Sequence, residues 1–201
     1  MPGKERMCEM EKNEKPKLVW CVCGSFCTIG RYIDVMRTHA GRYDIYPVIS
    51  EKTASTDTRF GRAADIINQI SEICGRAPIL TVKDAEPLGP VVKADIAVVA
   101  PCTGNTLAKI ACGITDGAVT MAVKSVSRNG KPLLLSLATN DALSANLKNI
   151  GETAVRRGCF FVPMKQDDPV SKPFSLVADE TLLPECIEAA FEGRQMRPMF
   201  V

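Results

Sequence analysis

Histidine is almost missing from this chain of 201 residues, and tryptophan occurs once. His39 is the single imidazole, so neither a Ser-His-Asp triad nor a multi-histidine metal site can be assembled. Charge of one sign is equally scarce. Lys+Arg 25 against Asp+Glu 23 leaves +2, no footprint for nucleic acid or an anionic membrane. No apolar run approaches the ~18 residues of a membrane span. The start, MPGKERMCEMEKNEKPK, is charged throughout and has no apolar h-region, so it reads as a solvated leader and not as a secretory signal. The glycine fingerprints are absent too. Gly24 is not followed by G-x-x-G at the needed spacing, and no G-x-x-x-x-G-K-[ST] occurs. Classical dinucleotide binding and P-loop nucleotide hydrolysis by this chain alone are thereby set aside.

Cysteine, by contrast, is plentiful at 9 and odd in number. Most of the cysteines lie inside apolar segments, as small buried hydrophobes do. Cys21 and Cys23 share a face of a predicted strand, but there is no C-x-x-C and no second cluster, so no metal site is expected. Free thiols in a chain of this size suggest a reducing, cytoplasmic compartment.

The remaining pattern is regular from Lys17 on. LVWCVC (18–23), DIYPVIS (44–50), DIAVVA (95–100), PLLLSLA (132–138) and CFFVPM (159–164) read as strands, with PILTV as a possible short one. Helical spacing runs between them. Ile29, Ile33 and Met36 mark one face, Ile66, Ile67, Ile70 and Ile73 another, and the segments starting at Thr103, Asp116, Asn140 and Asp179 read as further helices. Pro87 and Pro90 break the stretch between 83 and 94. Strands apolar on both faces, alternating with helices, predict a three-layer, Rossmann-like, doubly wound parallel sheet. We expect a flexible charged leader over 1–16 and a single α/β domain over 17–201.

In such sheets ligands bind beyond the carboxyl ends of the strands. That rule selects the loops at 24–28, 50–53, 101–106, 138–141 and 164–168, all rich in hydroxyls and amides. Ser, Thr or Asn before a helix is commonly only a cap. Several such loops on one edge favour a shared ligand, and a phosphate suits helix N-termini with neighbouring hydroxyls. His39 falls at the tail of a predicted helix, a place for a C-terminal-turn residue rather than a catalyst.

The run Ala100-Pro101-Cys102-Thr103-Gly104-Asn105-Thr106-Leu107-Ala108-Lys109-Ile110-Ala111 resembles the A-P-x-T-x-N-T-x-x-K-x-A signature of the flavoprotein family that includes the flavin-containing cysteine decarboxylases. The segments 55–61, 85–90, 139–143 and 166–169 are similar to a branch of that family that works in two-subunit enzymes of spore-forming bacteria. The resemblance implies a Rossmann-like fold, bound FMN and a homo-oligomer, a trimer or a multiple of one. It places Gly24, Ser25 and Thr28 at the flavin phosphate end, with Ser50 and Thr53 as phosphate hydroxyls. Pro101, Thr103, Asn105 and Thr106 would approach the cofactor from the next strand. Asn140 matches the Asn of the decarboxylases' P-x-M-N motif, near the substrate, although here the motif reads Leu137-Ala138-Thr139-Asn140. The decarboxylases' active-site histidine has no counterpart, since His39 lies in another segment, and cysteine decarboxylation is not carried over.

The implied reaction is oxidation of dihydrodipicolinate, or its hydrated tetrahydro precursor, to dipicolinate in the mother cell during sporulation. NADP would be carried by the partner subunit. The product has two carboxylates, which need cationic partners. Arg59, in the loop after the second strand, is the first candidate, and Lys52 and Lys165 are weaker ones. Three readings stay open: an oxidoreductase subunit with FMN, a non-catalytic partner with a degenerate flavin site, and a flavin-dependent decarboxylase acting on another substrate.

Overall fold

The computed structural model describes residues 14–201. Most of the charged leader expected over 1–16, residues 1–13, lies outside the described residues. The chain then enters β1 (Lys17–Val22), whose residues 18–22 are all buried. Continuous burial means that both faces of the strand are covered. After the Gly24-Ser25 turn comes α1 (Phe26–His39), which packs Ile29, Tyr32, Ile33 and Met36 inward at helical spacing. β2 (Asp44–Ile49) lies parallel to β1, with Lys17 opposite Asp44 and Val22 opposite Ile49. A short α2 (Glu51–Ser55), α3 (Ala63–Cys74) and α4 (Val82–Ala85) follow. Then come β3 (Ile96–Cys102), buried throughout, α5 (Gly104–Cys112), α6 (Ala118–Ser127) and β4 (Leu133–Thr139).

The expected parallel sheet is present from β2 through β1 and β3 to β4. Its far edge is more complex. β5 (Cys159–Phe161) pairs parallel with the first half of β4. The upper end of β4 pairs instead with β7 (Leu176–Ala178), antiparallel, and β7 pairs antiparallel with β6 (Met164–Lys165). The sheet is therefore mixed. CFFVPM, read as one strand, is divided because the chain leaves β4 after Val162 and Pro163 cannot donate to a ladder. PILTV contributes only one bridge, Ile79 to Val48. The segment at 140–146, read as the start of a helix, is a turn before α7 (Leu147–Ala154). There the side chain of Asp141 takes hydrogen bonds from Thr139 and Asn146, which favours a turn over a helix. A one-turn 3₁₀ segment leads into α8 (Leu183–Phe191).

Two buried polar contacts position the strand tips. The Trp20 indole N–H donates to the Ala100 carbonyl at 2.9 Å, tying β1 to the upper end of β3. The Tyr32 hydroxyl meets Ser136 Oγ at 2.6 Å, tying α1 to β4. Between Val99 and Cys102 the β3 register against β4 shifts. An irregularity of that kind re-aims the residues that follow it.

Candidate functional site

The loops chosen by the sheet-edge rule form two neighbouring cavities. The first has a volume of about 670 Å³ and is lined by Gly24, Ser50, Lys52, Thr103, Asn105 and Thr106, among others. The second, of about 410 Å³, takes Ser25, Thr28 and Asn140 together with Arg31, Lys165 and Lys172. Gly24 and Ser25 are consecutive yet face different spaces, so the β1–α1 turn is part of the wall between them. Gly104 supplies another part of that wall, because an added Cβ would meet Thr139 Oγ1 at 2.5 Å.

Each loop of the first cavity has a local reason for its shape. Ser50 caps α2, with its Oγ 3.4 Å from the Thr53 amide and 2.9 Å from Thr53 Oγ1. The amide contact is long for a hydrogen bond, and of the two hydroxyls that of Ser50 lines the cavity. Thr53 is fully buried behind Ser50. Thr103 caps α5: its Oγ1 accepts from the Thr106 amide at 3.3 Å and donates to Thr106 Oγ1 at 3.1 Å. Thr106 Oγ1 in turn donates to Cys23 Sγ at 3.3 Å, binding α5 to the end of β1. Burial pushes the Cys23 thiol up to about 11, and the hydrogen bond from Thr106 pulls it down only in part. This sulfur is a neutral packing atom and not a nucleophile. Asn105 is exposed at the mouth. Lys109 is paired with Asp116 at 2.8 Å, whereas Lys52 has no ion-pair partner among the described residues.

The structure thus brings Gly24, Ser50, Thr103, Asn105 and Thr106 to one space. Ser25, Thr28 and Asn140 belong to its neighbour. Pro101 and Thr53 lie beneath, buried. Arg59 reaches neither cavity. It is exposed on a loop closed by the Thr58–Gly61 bridge, with its guanidinium 4.8 Å from the centre of the neighbouring Phe60 ring. His39 is the last residue of α1, roughly 20 Å from the cavities at ~1.5 Å per helical residue. Sequence reasoning missed Phe26, whose ring lines the first cavity, and the start of α6 at Gly117–Thr120. The Asp-Gly-Ala run before that helix was the available signal. It named the loop at 164–168 but missed the 172–180 part of the second cavity's wall, which depends on the antiparallel return of β7.

A donor set of hydroxyls, an amide and one unpaired lysine, beside the Glu51 carboxylate and the Lys109–Asp116 pair, surrounds a space whose size suits a phosphorylated, planar cofactor. A glycine at the floor lets such a group approach the backbone closely. The residues present therefore fit a flavin mononucleotide, with Ser50 and Lys52 toward a phosphate and Thr53 bracing Ser50 from beneath. Among the described residues, no group of His, Cys, Asp and Glu side chains could hold a metal ion. No described helix is long and apolar enough to cross a membrane.

Comparison with known proteins places the family. Residues 7–180 match the family model described as Flavoprotein. The chain is 41% identical over 158 residues to the B subunit of dipicolinate synthase from Bacillus subtilis (strain 168), covering 79% of each chain. The crystal structure of the B subunit of dipicolinate synthase from Bacillus halodurans C superposes with a TM-score of 0.85 at 36% identity, covering 94% of this chain and 97% of that one. The structure of the FMN-dependent cysteine decarboxylase SpaF shares the fold, with a TM-score of 0.65 at 22% identity over 89% of this chain and 97% of that one. By motif, fold and site, the chain belongs to the flavoprotein family and, within it, to the B subunits of dipicolinate synthase.

Proposed function

We propose that this chain is the flavin-holding component of a two-subunit oxidoreductase that converts dihydrodipicolinate, or its hydrated tetrahydro precursor, to dipicolinate. One observation carries the reading: Gly24, Ser50, Thr103, Asn105 and Thr106, from three strand tips, converge on a single space of about 670 Å³. FMN, when bound, supplies a two-electron acceptor that can pass reducing equivalents on to NADP held by the partner subunit. The dihydropyridine loses two electrons and two protons as two ring C–H bonds break, one hydrogen leaving as a hydride equivalent and one as a proton, and the ring becomes aromatic; the hydrated precursor loses a water as well. Aromatisation provides the driving force, so the protein's task is to bind, orient and exclude water.

Within this reading the Ser50 hydroxyl and the Lys52 ammonium hold the phosphate end, with Thr53 bracing Ser50 from beneath. Asn105 and Asn140 flank the reacting region from the β3 and β4 tips. The partner is the A subunit of dipicolinate synthase, and the chain assembles as a homo-oligomer in the cytoplasm of a sporulating mother cell. A second reading, a partner that keeps the fold without flavin, draws on the Thr103 and Thr106 hydroxyls already being engaged in the α5 cap. Decarboxylation finds no support, because the single histidine ends α1, away from both cavities.

Reconstitution separates these readings. Dipicolinate formation by the partner subunit is measured with and without this chain, and with and without FMN. The proposal expects the full rate only with both present. Equal rates with and without FMN would leave the non-flavin partner as the correct reading.

A further inference from the structure

The amino ends of β1, β3 and β4 share the sheet edge opposite the flavin cavity, because the three strands run parallel. A cavity of about 590 Å³ opens there, and Lys15, Lys17, Lys93 and Lys131 line it. Its acids are Asp95 and Glu14. Asp95 is already engaged by the fold. Its carboxylate accepts from the Lys17 amide at 3.0 Å and from Lys131 Nζ at 3.1 Å, and its own amide donates to the Lys17 carbonyl at 2.8 Å. Glu188 and Glu192, on the neighbouring helix, are paired with Arg42 and Arg194. Lys15, Lys17 and Lys93 have no ion-pair partner among the described residues, which leaves three ammonium groups against the one carboxylate of Glu14. Lys93 also has a φ of 57°, in the left-handed region that favours glycine, and no other described non-glycine residue has a positive φ. Backbone strain of that kind gathers at positions that serve a ligand. Apolar surface adjoins the charges: Pro16, Pro132 and Phe191, the last residue of α8, line the same cavity. The Phe191 ring stacks on Tyr43 with centroids 6.4 Å apart and is still 36% exposed. The Tyr43 hydroxyl donates to Glu188 at 2.6 Å, so the ring beneath Phe191 is itself held.

We propose that this cavity binds a nucleoside polyphosphate, with its phosphates on Lys15, Lys17 and Lys93 and its base against Phe191. Lysine ammoniums are point charges that suit the spread charge of a phosphate chain, whereas a carboxylate is matched better by an arginine fork, and no arginine lines this space. The Phe191 ring adds a stacking surface that a bare inorganic anion leaves unused. A polynucleotide is the poorer match, since one ring gives no platform for successive bases and the chain as a whole carries only +2. The volume lies within the range of small-molecule sites, ~300–1,000 Å³. The glycine-rich loops absent from the sequence cradle phosphates with backbone amides, and here ammonium groups take that part. None of these residues touches the flavin cavity, so the site stands independently of the proposed function.

Calorimetric titration of the full chain with ATP, at physiological ionic strength and in the presence of excess FMN, provides the test. The proposal expects saturable binding, one ATP per chain, tighter than that of inorganic triphosphate or of adenosine. Lys15→Gln combined with Lys93→Gln should weaken ATP about tenfold or more, the scale of lost charged hydrogen bonds. Phe191→Leu should weaken ATP several-fold and leave triphosphate unchanged. Lys93→Gly removes the charge and relieves the backbone strain together, so its Tm should be no lower than the parent's while its ATP affinity falls, which separates a lost contact from a lost fold. FMN affinity should be the same in all these variants, and Ser50→Ala combined with Lys52→Ala should leave ATP affinity where it was. Absence of saturable ATP binding, equal affinity for ATP and triphosphate, indifference to the lysine substitutions, or loss of ATP binding in the Ser50 and Lys52 variant would overturn the proposal. Lysine-dependent ATP binding in a protein that takes up no FMN would keep this site and remove the flavin reading.

Discussion

Replacing Gly104 by alanine probes the lock between the β3 and β4 tips. The new Cβ would sit 2.5 Å from Asn146 Nδ2, 2.5 Å from Thr139 Oγ1 and 2.8 Å from Asp141 Oδ1. None of these atoms can simply turn away. Thr139 donates to Asp141 at 2.6 Å, Asn146 donates to Asp141 at 2.8 Å, and Asn146 Oδ1 accepts from Asn149 at 2.8 Å. The hydrogen bonds from Thr139 and Asn146 hold the Asp141 carboxyl below its ordinary range, so the network carries a charge. Relieving the overlap sacrifices at least one bond to that charge, ~1.5–3 kcal/mol, and overpacking adds ~1–3 kcal/mol. The better helix propensity of alanine returns at most ~1 kcal/mol. The net loss is about 1.5–5 kcal/mol, and at ~2–4 °C per kcal/mol for a chain of this size Tm should fall by about 3–20 °C. FMN and dicarboxylate affinities should fall with it, because Asn105 and Asn140 are carried by the two displaced loops. Scanning calorimetry reads the first effect and titration the second. In a double-mutant cycle with Asn146→Ala, the coupling should reach ~0.5–3 kcal/mol. A Gly104→Ala protein that melts within about 1 °C of the parent would refute the claim that these tips are interlocked.

Three further outcomes follow from the same physics. Burial raises the thiols of Cys21, Cys23 and Cys102, Cys23 to about 11. Stability that is full below the unfolded thiol's range should therefore decline as pH rises through about 9 to 11, by ~1.4 kcal/mol per pH unit per thiol. Urea unfolding across that range checks it, Cys23→Ala should flatten the slope, and a flat profile in the parent would contradict it. Arg59→Ala removes an exposed side chain that lies over its own neighbour, so FMN and dicarboxylate affinities should stay within about twofold, a stability change of about 0.5 kcal/mol or less being usual for such sites; a tenfold loss would return Arg59 to the site. Trp20→Phe leaves the buried Ala100 carbonyl without its 2.9 Å donor, a loss of ~1–3 kcal/mol at the strand that presents Pro101–Thr106, and FMN affinity should weaken along with Tm in parallel titrations and melts.

The parallel core was legible because each of its strands is a continuous apolar run, and a strand buried on both faces needs helices above and below. The first cavity was legible for a related reason: its residues follow directly after those strands, so the edge rule finds them in order. What escaped reading lies beyond β4. Met164–Lys165 and Leu176–Ala178 are too short to show periodicity, and their pairing spans a loop that contains Pro169 and Pro173. Without that pairing, Lys165 and Lys172 could not be placed opposite Arg31. Arg59 shows the converse case. It lies on the correct edge in sequence, but the loop from Asp57 turns outward, where the Asp57 carboxylate accepts from the first amide of α3 at 2.8 Å. The division of Ser25 from Gly24 was also invisible, because a turn sends consecutive residues to opposite sides. At Thr103 and Thr106 capping does not withdraw the side chains from the cavity, since they line the space they help to shape.

The central claim is that the cavity at the tips of β1, β2 and β3 holds a flavin. Titrating the purified chain with FMN while following the visible absorbance and the quenching of flavin fluorescence tests it most directly. The account predicts saturable binding with one FMN per chain, weakened about tenfold or more by Ser50→Ala combined with Lys52→Ala. Free-flavin spectra at every ratio, or binding indifferent to both substitutions, would contradict it.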